Sequence, residues 1–193
     1  MPGSPMSEDP PHDPFILRTP EGDDRLRKTC VDCGFIHYEN PKVIVGAICT
    51  WQESPDAPEL FLMARRAIEP RLSYWTMPAG YMELNETTEA GAAREVWEEA
   101  RARVEIDALL GLYNIPRINQ VHLIYRARMR TAAHGAGPES METALFTWDD
   151  LPWHDLAFPT VAWALKAHRA LRGQTNFAPQ GVPPEDMDRP PFG

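Results

Sequence analysis

The sequence is poor in positive charge: 19 Lys and Arg stand against 28 Asp and Glu, a formal net charge of −9 over 193 residues. Such a chain lacks the basic surface that neutralises phosphates, so no nucleic-acid partner is expected. It offers little attraction to anionic lipid. Long hydrophobic runs are missing too; none approaches the roughly 20 residues that a membrane-spanning helix needs. The opening MPGSPMSEDPPHDP has acids and prolines where a secretory signal would have a basic start and an apolar stretch. The expectation is a cytoplasmic protein with no membrane partner. Cysteine is scarce, and three residues cannot build a disulfide framework, which fits a reducing compartment. Cys30 and Cys33 are spaced C-x2-C before Gly34. Cys49, inside the apolar run VIVGAICTW, is expected to be a small buried hydrophobe.

What the chain has in excess is proline at its edges. Of 20 prolines, six lie in residues 1–20 and five in residues 174–193. Such sequence buries little apolar surface to offset its ordering entropy. Residues 1–19 and 174–193 are therefore read as disordered, proline-rich tails. Between them, a hydrophobic content of 43% suits one domain with a core.

Within that span, Val43–Trp51 reads as a buried strand and Leu60–Ala64 as its hairpin partner, joined through Ser54-Pro55-Asp56. Trp75–Met77 is a short extended piece. Val104–Tyr113, Val121–Met129 and Ala144–Trp148 read as strands, with a loop over Ala132–Met141. Thr88–Ala100 is a helix with Thr87 as N-cap and Glu89 near the positive end of its dipole. Thr160–Leu171 is a closing helix with Val161, Ala164, Leu165, His168 and Leu171 on one face. Strands outnumber helices, and the helices are far apart, so the fold class is α+β with a mixed sheet, not a βαβ repeat.

On a wheel at about 100° per residue, Glu95, Glu98 and Glu99 share one arc with Gly91. Ala90, Ala93, Val96, Trp97 and Ala100 occupy the other side and are expected to pack on the sheet. Carboxylates three and four residues apart repel by a few tenths of a kcal/mol per pair, and Arg94 is the only cation near them. A solvated acidic face would intersperse lysines. An oxygen-rich cluster of this kind suits Mg2+, and Gly91 leaves room for a loop or an ion to approach.

From Gly80 the chain reads GYMELNETTEAGAAREVWEEARA, which resembles the Nudix box, G-x5-E-x7-R-E-U-x-E-E-x-G-U with U apolar. Gly80, Glu86, Arg94, Glu95, Val96, Glu98 and Glu99 all stand at the required spacing. One position departs: Arg101 replaces the glycine that ends the family's helix in a left-handed conformation. Beyond the box, PEGDDRLRKTCVDCGFIHYENPKVIVG, RAIEPRLSYWTMPAGYMEL, LYNIP and GPESMETALFTWDDLP are similar to a zinc-ribbon subgroup of Nudix hydrolases. That subgroup includes ADP-ribose and FAD pyrophosphatases. The resemblance implies a Nudix-type α/β/α sandwich over 42–173, preceded by a degenerate zinc-ribbon-like segment over 20–41.

It also implies hydrolysis of a diphosphate that joins a nucleoside to another moiety, with Mg2+ as cofactor and Mn2+ as a substitute. ADP-ribose, an ADP-sugar or FAD is the expected substrate, yielding AMP and the other phosphorylated moiety. Glu95, Glu98 and Glu99 become metal ligands, with the Ala79 carbonyl as a further oxygen. Glu86 and Arg94 become an orienting ion pair. A fourth carboxylate is expected from the later loop, Glu139 in preference to Glu142, as ligand or general base. Arg65, Arg66 and Arg117 are candidates for the phosphates; Tyr81, Trp75 and Tyr113 are candidates for stacking on the base. His122 reads as a strand residue. Zinc is not expected, because the subgroup's first cysteine pair is missing and His12 near that position cannot replace it; His37 belongs to the IHY segment and is not an expected ligand. A homodimer is expected.

Two alternatives remain at this level. NADH pyrophosphatases of the subgroup carry an SQPWPFP signature, where this chain has YNIPRINQVHLIY. Pro116, 15 positions after Arg101, resembles instead the proline of ADP-ribose pyrophosphatases. A non-catalytic, Nudix-like ligand sensor would typically lack box glutamates, and all four are present here.

Overall fold

The structure, a computed structural model, describes residues 13–187. The chain divides between Asn40 and Pro41 into two compact units. In the first, strands β1 (Phe15–Arg18), β2 (Arg27–Cys30) and β3 (Ile36–His37) form a small antiparallel sheet. The Cys30–Gly34 turn closes it, with the Gly34 amide donating to the Cys30 carbonyl at 3.0 Å. Gly34 has φ 76°, the left-handed region that glycine enters without steric cost. Cys30 is buried and Cys33 exposed. The backbone amides of Cys33 and Asp32 point at the Cys30 sulfur and hold its thiol below the usual range. His12 lies outside the described residues.

The second unit is built on a mixed seven-stranded sheet. Its long strands are β4 (Lys42–Trp51), β5 (Leu60–Arg66), β8 (Val104–Ile115), β9 (Gln120–Met129) and β10 (Ser140–Phe146), in the order β10-β5-β4-β9-β8. The short β6 (Trp75–Thr76) pairs with β5, and β7 (Ala79–Tyr81) with β4. β4 and β9 run parallel; the other pairs are antiparallel. The expected hairpin is present, with Thr50 opposite Phe61 and Trp51 opposite Leu60.

Period-two alternation splits the core between two faces. Val45, Ala47, Cys49 and Leu62 meet Ala92, Val96 and Ala100 of α1 (Thr88–Ala100). Ile48, Phe61 and Met63 meet Val161, Ala164 and Leu165 of α2 (Pro159–Ala170). The result is helix, mixed sheet, helix. Burial of Cys49 pushes its thiol pKa far up, as a structural cysteine.

Both expected tails need correction where they are described, over residues 13–19 and 174–187; the rest of each lies outside the described residues. Phe15–Arg18 is paired with β2 through Phe15↔Cys30 and Arg18↔Arg27. Residues 174–187 lie against the sheet: the Gln180 amide donates to the Leu110 carbonyl at 2.9 Å, and the Leu112 amide to the Gln180 carbonyl at 2.9 Å. Phe177 and Val182 pack on the α2-side core. A few apolar anchors spaced among prolines are enough to seat an extended segment, which average composition does not register.

Candidate active site

α1 begins as its sequence dictates. The Thr87 hydroxyl accepts from the Ala90 amide at 3.2 Å, satisfying one of the free donors of the first turn. The buried face differs from the wheel's assignment. Gly91, Ala92, Glu95, Val96, Glu99 and Ala100 are buried, while Ala90 and Trp97 are exposed. Trp97 lies outside because Arg101 and Arg103 cover its ring, at 5.7 and 4.8 Å from the centroid. The helix is thus rolled so that Glu95 and Glu99 face inward.

Arg94 ties the acids of the box together. Its Nε and Nη2 donate to the two oxygens of Glu86 at 3.0 and 2.9 Å, a forked pair. Its Nη1 donates to Glu95 at 2.7 Å and to Glu98 at 2.9 Å, and its Nη2 also reaches the Tyr81 carbonyl at 3.0 Å. The guanidinium holds the Glu86 carboxyl down to about 2. Gly91 is what lets Glu86 in: a Cβ there would lie 2.6 Å from Glu86 Oε1. The approaching loop group that Gly91 accommodates is this side chain.

Glu99 accepts from the Ala79 amide at 3.2 Å. Burial raises its carboxyl to about 8, with the charges of Glu95 and Glu139 adding to the rise. Burial also raises Glu95, with Glu98 and Glu139 adding to it. At Gly80 a Cβ would lie 2.5 Å from both oxygens of Glu95, so glycine leaves β7 open to that carboxylate.

Glu139 comes to these residues on a loop fastened to the end of α1. The Gly135 amide donates to the Ala100 carbonyl at 2.9 Å, and the Gly137 amide to the Glu99 carbonyl at 3.0 Å. These bonds satisfy carbonyls that a helix end otherwise leaves without partners. A Cβ at Gly137 would lie 1.7 Å from the Glu98 carbonyl oxygen, so the contact requires glycine. Arg101 closes the helix at φ 50°, in the left-handed conformation that the family's glycine would adopt, and its amide donates to the Trp97 carbonyl.

These side chains open on a cleft of about 1350 Å3 lined by Glu95, Glu98, Glu99, Glu139, Arg94, Ala79, Tyr81 and Arg117. Arg65 does not reach it. Its Nε donates to the Ser73 carbonyl at 2.8 Å and its Nη1 to Glu142 at 2.9 Å. Successive strand residues face opposite sides, so Arg66 lines the cleft instead, its guanidinium 5.2 Å from the Phe158 ring centroid. Glu142 is turned away with Arg65. Trp75 packs edge-on against Phe146, and Tyr113 is fully buried in the core, so neither ring lines the cleft. His122 does line it, from within β9; burial lowers its imidazole to about 4, and its Nε2 lies 2.9 Å from Gln120.

Residue patterns gave no sign of the Gly137 contact, the Phe158 side of the cleft or the part taken by residues 182–187. Each depends on segments distant in sequence. The donor set suits a hard divalent cation: oxygen-only side chains, two of them with charges that burial opposes. Among the described residues, no three His, Cys, Asp or Glu side chains converge at metal-binding spacing. Arg94 meets the charges of Glu95 and Glu98 in this arrangement.

A family model described as NUDIX domain matches residues 41–169, and one described as Nudix N-terminal matches residues 13–39. A crystal structure of a NUDIX hydrolase from Nitrosomonas europaea is 44% identical, with a TM-score of 0.79 over 87% of this chain and 93% of that one. Among curated proteins, a MutT-like protein of Streptomyces ambofaciens is 39% identical over 77 residues, 40% of this chain and 50% of that protein. An ADP-ribose pyrophosphatase of Methanocaldococcus jannaschii is 25% identical over 119 residues, 60% of this chain and 67% of that protein. The matches thus span half and about two thirds of these two curated relatives' lengths.

Proposed function

Because the chain belongs to the Nudix family, we propose that it is a Mg2+-dependent diphosphatase that hydrolyses a nucleoside diphosphate joined to another moiety, with ADP-ribose as the leading substrate. The observation that carries this reading is that Glu95, Glu98, Glu99 and Glu139 line one cleft beside the Arg94–Glu86 pair. Relatedness to an ADP-ribose pyrophosphatase supports the choice of substrate.

A diphosphate repels an attacking water, so the reaction needs neutralised charge and a fixed line of approach. The bound divalent ion, Mg2+ or Mn2+, supplies polarisation of phosphoryl oxygens and a more acidic water. Glu95, Glu98 and Glu99 would hold it, with the Ala79 carbonyl available beside them. Arg94 presets the carboxylates and keeps Glu86 ionised. Arg66 and Arg117 face the cleft and would receive the non-bridging phosphate oxygens. Glu139, outside the Arg94 network and on an exposed loop, would take the proton of the attacking water. Water oxygen bonds to phosphorus, the bridging P–O bond breaks, and AMP leaves with the other phosphorylated moiety. Tyr81 lies on the cleft rim, its ring 4.9 Å from Lys42 Nζ, where it can cover the bound substrate.

The test is AMP release from ADP-ribose, ADP-glucose, FAD and NADH, each with Mg2+ and with EDTA. Mg2+-dependent release greatest from ADP-ribose is the expected outcome. Preference for NADH would move the assignment to NADH pyrophosphatase. No release from any of the four would make the chain a ligand sensor.

A further inference from the structure

Arg101 lines the cleft beside Trp97, Glu98, Pro138 and Glu139. Arg94, also on the cleft, is taken up by Glu86, Glu95 and Glu98. Arg101 is not. Among the described residues its guanidinium meets the Trp97 carbonyl, 3.4 Å from Nη1, and the Trp97 ring, 5.7 Å to the centroid, with no carboxylate within ion-pair reach. In a chain of net charge −9, this leaves a fixed cation on the rim of an acidic cleft.

Ending the helix does not account for that side chain. The cap is made by the Arg101 backbone, whose amide donates to the Trp97 carbonyl at 3.0 Å, and glycine would supply the same bond. At φ 50°, ψ 19° glycine would also avoid the cost of about 1–2 kcal/mol that a side chain adds. Strain kept at the edge of a cleft points to function. Trp97 is 41% exposed and gives the guanidinium a flat face to lie over, so less side-chain freedom is left to lose on binding. A Cβ at Gly135 would lie 4.0 Å from the Arg101 Cβ, so Arg101 stands beside the loop that brings in Glu139. The forked N–H groups of a guanidinium match phosphate oxygens. We propose that Arg101 is a substrate-binding residue, taking a non-bridging oxygen of the diphosphate on the Glu98–Glu139 side of the cleft, with Trp97 as its positioning residue. The inference deepens the nucleoside-diphosphate reading above and rests on it for the ligand class.

The test is a binding measurement, so it does not depend on turnover. Calorimetry on the full chain with Mg2+ uses the non-hydrolysable α,β-methylene analogue of ADP-ribose. Arg101→Gly and Arg101→Gln should each weaken its binding at least about tenfold. Arg101→Gln keeps a side chain in the left-handed conformation, so it separates loss of charge from relief of strain. Arg103→Gln is the control: Arg103 lies over the same indole, 4.8 Å from its centroid, but does not line the cleft. It should leave the affinity within about twofold. The kcat/KM for ADP-ribose should fall in the Arg101 variants and not in Arg103→Gln. Unchanged affinity in Arg101→Gln, or an equal loss in Arg103→Gln, would overturn the contact while leaving the hydrolytic reading in place. A wild type that does not bind the analogue would overturn both. Binding that depends on Arg101, without turnover of ADP-ribose, supports the contact and counts against the hydrolytic reading alone.

Discussion

The amide of Gly137 donates to the carbonyl of Glu99 at 3.0 Å. The loop that carries Glu139 is thereby fastened to the helix that carries Glu95, Glu98 and Glu99. Helix-end hydrogen bonding and active-site assembly are one feature here, because the carbonyls left over by α1 are the loop's points of attachment.

Gly137→Ala should lower both stability and kcat. Its Cβ would fall 1.7 Å from the Glu98 carbonyl, a backbone atom that cannot swing aside. Loss of about 1–3 kcal/mol is expected from forced overpacking, with kcat down at least roughly tenfold as Glu139 shifts. Gly135→Ala is the control, since its nearest neighbour would be Arg101 Cβ at 4.0 Å. Thermal melts and ADP-ribose kinetics check both; equal behaviour of the two variants would contradict the tether.

Glu139→Gln should reduce kcat at least roughly tenfold, about 1.4 kcal/mol of barrier, with little change in melting temperature. Glu142→Gln should leave kcat nearly intact. It breaks the exposed pair with Arg65, an interaction worth about 0–1 kcal/mol to stability. Greater sensitivity at Glu142 would reverse the assignment.

The Glu99 carboxyl begins to ionise near 4.5 in the unfolded chain but near 8 in the fold without metal. Between those values the folded state binds more protons, so metal-free stability falls as pH rises and levels off above about 8. Glu99→Gln removes that slope. In EDTA it should be more stable than wild type at about pH 8, with the difference shrinking toward about pH 5, while hydrolysis with Mg2+ is largely lost. Urea unfolding at several pH values reads the first effect. Parallel stability curves for the two proteins would contradict it.

Arg101→Gly should stabilise the fold. Arg101 sits at φ 50°, ψ 19°, a left-handed conformation costing a non-glycine residue about 1–2 kcal/mol. Lost stacking on Trp97 offsets part of the gain, leaving a rise in Tm of about 2–4 °C. Scanning calorimetry decides it; a lower Tm would mean that the stacking outweighs the strain.

Metal analysis of protein purified without added zinc should find well under one equivalent, since Cys30 and Cys33 supply half of a closed four-ligand site. Stoichiometric zinc that disappears with Cys30→Ser would instead show that the Nudix N-terminal unit is a working ribbon.

The bounds of α1, its Thr87 cap and the spacing of its glutamates were legible in the sequence, because helix capping and periodicity are set within a few residues. So was the β4–β5 hairpin, where apolar runs flank a turn. The phase of each face was not legible. Arg65 and Arg66 are adjacent, and only the pairing of β5 with β10 and β6 decides which one meets the cleft. Glu95 and Glu99 turned inward because the β7 approach and the Glu139 loop give them something to face, and both come from elsewhere in the chain. The seating of the final segment was not legible for the same reason: Gln180 is held by Leu110 and Leu112, and Trp163 donates to Asp186. Local sequence encodes the groups that carry the chemistry; long-range backbone pairing and packing decide which of them share a cleft.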